Sequence, residues 1–184
     1  MKKIVLLAVI FAMCSVSYAQ GIFADEVTSE GVRLITGDPV HVSDLADDVE
    51  LLVSLCFSDY NGNSTYGIAV TPAFKSDFSV KKGMRLLLKD KDNNVVELHS
   101  MADAYSSVKA VDAFKYIYYL NAYYEVTEET LSQLSDGIIK MRLEYDSGVF
   151  DKEWKVDKMG EVLKKELAEI KRKIRIDKDF YSDF

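Results

Sequence analysis

Apolar side chains fall at every second position through most of this sequence, a period that suits a strand and defeats a helix. Val49, Leu51, Val53, Leu55 and Phe57 lie on one side of an extended segment, and Glu50, Leu52, Ser54, Cys56 and Ser58 on the other. A helix would scatter the first set around its axis, whereas a pleated strand gathers it on one buried face. Asp59-Tyr60-Asn61-Gly62-Asn63 follows as a turn, and Tyr66, Ile68, Val70 and Phe74 resume the alternation, so a hairpin is predicted. Met84–Lys89 and Val95–Ser100 flank Asp90–Asn94 in a second hairpin, because Asp and Asn tolerate the left-handed backbone of a tight turn. Ile139, Met141, Leu143 and Tyr145 alternate with Lys140, Arg142, Glu144 and Asp146, the pattern of an antiparallel strand with one wet face. Asp146-Ser147-Gly148 then turns into a strand carrying Phe150, Trp154 and Val156. Val32–Thr36 and Val40–Ser43, parted by Gly37-Asp38-Pro39, are shorter candidates.

The period changes at the end of the chain. Met159, Leu163, Leu167, Ile170 and Ile174 recur at helical spacing, which predicts an amphipathic helix over residues 157–176 with Asp157 capping its first turn. Glu161–Lys165 and Glu169–Lys173 are spaced to pair on its exposed side. Residues 151–175 hold nine basic and six acidic side chains, so charge as well as apolar surface draws this helix toward its own acidic domain. Thr127–Leu134 predicts one or two further helical turns. The expected fold is therefore mainly β: an antiparallel β-sandwich of about eight strands with the C-terminal amphipathic α-helix packed on it. The alternative is a lipocalin-like barrel with a C-terminal helix, although the early Gly-x-Trp of lipocalins is missing and the only tryptophan is Trp154.

Lys2 and Lys3, the apolar run Ile4–Met13, and small Ser17 and Ala19 before Gln20 have the layout of a secretory signal peptide over residues 1–19. As a helix the apolar run would reach only about 15 Å, half of a bilayer core, so it predicts an exported chain rather than an anchored one. Lipid attachment at Cys14 would need a small residue before it, and Met13 stands there. The remaining residues 20–184 contain no Pro, Gly or Ser-rich divider and form one predicted domain, periplasmic or secreted, with no transmembrane segment after cleavage. Loss of Lys2 and Lys3 takes the net charge from −7 to −9, which disfavours nucleic acid as a partner. Cys56 alone remains after cleavage, so no internal disulfide can form, and a small buried thiol is expected.

Two stretches, Met84–Leu98 (MRLLLKDKDNNVVEL) and Tyr123–Tyr145 with its run YEVTEETLSQLSDGIIKMRLEY, resemble a pattern in uncharacterised small exported proteins of Bacteroidetes. There a tyrosine-bearing strand leads through a short helix and a Gly-Ile strand with Lys and Arg to a closing helix. The resemblance implies the fold and the compartment, and it implies no activity.

Chemistry is harder to find. Gly62-Asn63-Ser64-Thr65-Tyr66-Gly67 misses the Gly-x-Ser-x-Gly spacing of a nucleophile elbow by one residue. His41 and His99, the only histidines, lack the neighbours that metal ligation or base catalysis requires, and neither Asp-Asn turn has the calcium-loop pattern. No catalytic residue, metal or cofactor is expected. Phe114–Tyr124 (FKYIYYLNAYY) carries five tyrosines in eleven residues, with Phe114, Tyr116, Tyr118, Leu120, Ala122 and Tyr124 on one face. Lys115, Ile117, Tyr119, Asn121 and Tyr123 share the other. Tyrosine offers an apolar body and a polar tip, so Tyr119 and Tyr123 are the candidate ligand-binding residues. The expected function is a non-catalytic binding or structural domain of the cell envelope, taking a glycan or a peptide or protein partner. Two alternatives stay open: a hydrolase whose carboxylates, Glu50, Glu97 and Glu144, converge from separate strands, and a carrier of a small apolar ligand.

Overall fold

The computed structural model describes residues 24–43, 49–111 and 116–182, with side chains described through residue 175. The predicted leader, Phe114 and Lys115 lie outside the described residues. In chain order the first strands are β1 (Ala24–Val27), β2 (Arg33–Thr36), β3 (Val40–His41), β4 (Glu50–Tyr60), β5 (Asn63–Phe74), β6 (Ser79–Val80) and β7 (Arg85–Asp90). They are followed by β8 (Val95–His99), β9 (Ala104–Tyr105), β10 (Ser107–Ala110), β11 (Tyr116–Tyr119) and β12 (Ala122–Val126). Helix α1 (Glu128–Leu134), strands β13 (Ile138–Tyr145) and β14 (Gly148–Glu153), and helix α2 (Met159–Ser182) complete the chain.

The chain is mainly β, built of antiparallel sheets with a helix at its C-terminal end. The β4–β5 hairpin forms because Asn61 and Gly62 both take positive φ, 52° and 79°, the two-residue turn whose twist matches that of paired strands. β2 and β3 line the far edge of β4, while β11 and β12 line the far edge of β5, with β1 and β10 outermost. A second sheet runs β14-β13-β7-β8. Both sheets contribute inward residues to one core: Leu51, Val53, Leu55, Ile68 and Val70 from the first, Leu86, Leu88, Met141 and Leu143 from the second. They join at both flanks. On one side Ser100 bridges to Tyr124 and the Met101 amide donates to the Tyr123 carbonyl at 2.9 Å. On the other, the Trp154 indole Nε1 donates to the Val42 carbonyl at 2.6 Å. The result is a curled, barrel-like sandwich.

Helix α2 lies against the inner face of β4 and buries Met159, Leu163, Leu167 and Ile170 in the common core. Asp157 caps it as expected, its Oδ1 accepting from the Gly160 amide at 2.8 Å. The expected Glu169–Lys173 pair is replaced: Glu169 pairs with Arg172 at 3.0 Å, and Lys173 reaches Asp25 of β1 at 3.9 Å. Three strand details also differ from the alternation reading. A bulge between Ile138 and Lys140 puts Ile138, not Ile139, in the core. Both faces of β4 are buried from Leu51 to Ser58, because Cys56 packs outward on Ala69, Tyr123 and Met101. The tyrosine-rich segment is two strands rather than one, since Leu120 stands opposite Pro72, which has no N–H to continue the ladder.

Candidate functional site

β5 ends where the two sheets splay, and aromatic side chains converge there from four parts of the chain. The Phe74 ring, at the end of β5, lies 4.5 Å from Phe78, 5.2 Å from Tyr145 of β13 and 5.6 Å from Phe150 of β14, centroid to centroid. Phe78 and Tyr145 meet edge to face at 6.0 Å. These edge-on and tilted geometries suit the ring quadrupoles, and such pairs add about 1 kcal/mol each beyond the area they bury. Phe78 is held in place by its neighbours. Its amide donates to the Ser106 hydroxyl oxygen at 3.3 Å, that hydroxyl donates to Asp77, and Ser79 donates to Asp146 at 2.8 Å. The Ser79 hydroxyl and backbone keep the Asp146 carboxyl below the usual carboxylate range.

From this floor the inner face of the sheet runs outward along β11 and β10. Tyr118 stands directly opposite Phe74 on one side and Val108 on the other, and Tyr116 stands opposite Ala110. Phe74, Tyr118, Tyr145 and Phe150 are half-buried, whereas Val108 is 57% and Tyr116 53% exposed. All four residues of β10 are exposed, and among the described residues no strand pairs with its outer edge. Tyr105 frames the same end, with the Lys81 ammonium 4.0 Å above its ring. The site is thus an apolar, tyrosine-rich shelf bordered by β10, the outermost described strand on that side of the sheet. Its exposed rings and apolar side chains suit contact with flat or extended apolar groups.

Tyr119 and Tyr123 point to the opposite, outer face, opposite Ala73 and Ala69. Tyr119 is half-buried, and Tyr123 is 5% exposed, packed on Cys56, Ala69 and Met101. Helix α2 covers neither, because it lies on the inner face. Cys56 is buried, as expected. The candidate carboxylates partly converge: Arg85 reaches Glu144 at 2.5 Å and Glu97 at 3.8 Å on the exposed face of the second sheet, and His99 adds a contact to Glu97 at 3.3 Å. Arg85 holds the Glu144 carboxyl below its ordinary range, the wrong direction for a general acid. Glu50 lies apart, 3.6 Å from His41. No group of three or more His, Cys, Asp or Glu positioned for a metal occurs among the described residues. Nor is any helix among them long and apolar enough to cross a membrane.

Two features escaped the sequence reading. The shelf's rings come from Phe74, Phe78, Tyr145 and Phe150, far apart in the chain, and only the closing of the sheets brings them together. Glu166, on helix α2, is buried against β4 at 6% exposure. Its signal was present: at 100° per residue, position 166 falls between Met159 and Val162 on the buried side of the helix. Inside the core, Tyr124 is fully buried, and its hydroxyl is the one buried side-chain polar atom among the described residues without a hydrogen-bond partner. Burial pushes that phenol up, and the charge of Glu144 adds to the effect.

The chain is a barrel-like β domain with an aromatic shelf at one end of its sheets. No family model, no curated protein and no solved structure matches the chain.

Proposed function

We propose that this chain is an exported, non-catalytic binding domain of the cell envelope that holds an extended segment of a partner protein along the β10–β11 hairpin. One observation carries the reading: Val108 and Tyr116 are exposed on a sheet face that continues a half-buried aromatic floor, on β10 and β11, with β10 outermost among the described strands of that sheet. A strand added to such an edge gains main-chain hydrogen bonds, and its alternate side chains meet the apolar shelf. The leader-like residues 1–19 support the envelope as the place. Tyr119, on the other face of β11, belongs to the same hairpin and is the second position the reading includes, whereas burial makes Tyr123 a packing residue in this conformation. The test is capture from envelope extract by the immobilised protein, comparing wild type with a Val108→Asp, Tyr116→Ser double variant and a Tyr119→Ala variant. The double variant is expected to lose the captured partner while keeping the wild-type circular dichroism. Undiminished capture by a folded double variant removes the hairpin from the account.

A further inference from the structure

Helix α2 meets the first sheet where its edge is broken. β2 runs opposite β4 as far as Thr36 and Cys56, the Gly37 amide donates to the Leu55 carbonyl at 2.9 Å, and pairing resumes with Val40 opposite Val53. Asp38 and Pro39 therefore stand against Ser54 alone, one residue in excess, which is a β-bulge. Into that notch the helix inserts the Glu166 side chain, and its Oε2 accepts the Leu55 amide at 2.5 Å. Gly37 makes room for it, because a Cβ there would overlap the Glu166 carboxyl.

We propose that Glu166 is a proton-operated latch: as the neutral acid it fills the place of the missing strand at the bulge and holds α2 in the half-barrel, and as the carboxylate it lets the helix go. The groups facing it leave the charged form poorly compensated. Asp38, on the bulge, adds a second negative charge, and Lys165, next on the helix, only partly offsets it. β4 presents a backbone amide and the apolar side chains of Val53 and Leu55. Among the described residues, other charges near the interface pair elsewhere: Lys171 with Glu128 of α1 at 2.6 Å, and Lys173 and Arg33 with Asp25 of β1, while the His41 ring of β3 lies 3.6 Å from Glu50. Burial, with the charge of Asp38 behind it, pushes the Glu166 carboxyl up to about 8.

The sign follows from proton binding. A docked Glu166 holds its proton to about pH 8, and a released one only to about the usual 4.5. Docking is thus fully supported below pH 4.5, weakens as pH rises toward 8, and changes no further once both forms are ionised. Release would bare the inner face of β4, including Val53 and Leu55.

Amide hydrogen exchange across pH 5–9, corrected for intrinsic rates, tests the latch, together with a carbon-13 titration of the Glu166 carboxyl. In the wild type, protection of the Leu55 amide and of residues 163–170 is expected to fall by up to about tenfold per pH unit up to pH 8, then level off. Amides of β7 should fall less. Glu166→Gln keeps the acceptor without the charge and should show a flat profile. Parallel profiles in wild type and Glu166→Gln, or equal losses in β7 and α2, would overturn the proposal. Should Glu166→Gln fail to fold, the wild-type carboxyl decides alone: a midpoint near 8 supports the latch, and one in the ordinary carboxylate range ends it.

Discussion

Glu144 and Glu166 are the same residue in opposite settings, one on the outer face of the second sheet and one between helix and sheet. Around Glu144 the strands carry matched charges on facing positions. Arg85 grips it at 2.5 Å, Arg142 pairs with Asp151 at 2.6 Å, and Lys140 pairs with Glu153 at 2.6 Å. Water screens these pairs, so each contributes little, and the face can stay bare. Around Glu166 the described contacts are a peptide amide and a glycine, with Asp38 adding a like charge that Lys165 only partly offsets. Charge is cheap in the first place and dear in the second. The same chemistry therefore favours the anion on the sheet and the neutral acid between helix and sheet.

The largest expected effect breaks the buried side of this comparison. Glu166→Ala leaves the Leu55 amide without its acceptor and opens a void under α2. Measured by urea denaturation near pH 6, where Glu166 is neutral, it should cost about 3 kcal/mol. Gly37→Ala pushes a methyl group into the Glu166 carboxyl and should cost about 2 kcal/mol. The two sites touch, so their double variant should fall short of the sum. Strict additivity would mean that glycine and carboxyl do not share the notch.

The difference between these two regions also explains what the sequence revealed. Alternation exposed β4, β5, β7, β8 and β13, because a half-buried strand must place apolar groups at every second residue. It also put Lys140, Arg142 and Glu144 on a wet face, where they are found. The helical stripe from Met159 to Ile174 is equally plain, but its apolar members alone do not mark Glu166 as buried beside them. The bulge at Asp38-Pro39 and the one at Ile138 were hidden for a related reason. One extra residue leaves no mark on composition, and only the partner strand shows it. The aromatic shelf depends on contacts between β5, β13 and β14 that no local pattern encodes.

The next effect is on the acid side. Arg85 lowers the Glu144 carboxyl in the folded protein, so this group supports folding above the ordinary carboxylate range and loses its contribution as pH falls through its lowered value. Asp151, held down by Arg142, behaves the same way. Acidification below pH 4.5 should therefore loosen the second sheet while the docking of α2 stays at its strongest. Residue-resolved exchange at pH 3 should show β13 and β14 amides opening before those of α2. The reverse order would show that the exposed pairs do not set the acid limit.

The smallest effect belongs to Glu144→Gln, which removes charge from the exposed face while leaving its shape. Arg85 retains Glu97, so no buried group loses its partner, and an exposed pair is worth less than about 1 kcal/mol. Urea melts at low salt and at high salt separate the two parts of that small number. Salt should erase most of the difference between wild type and Glu144→Gln, because the Debye length shrinks to about 3 Å near 1 M. The same salt should leave the cost of Glu166→Ala almost unchanged, since the notch is closed to ions and its main contact is a hydrogen bond to the backbone. A salt-sensitive Glu166→Ala, or a salt-resistant Glu144→Gln costing several kcal/mol, would mean that solvent access does not separate the two glutamates.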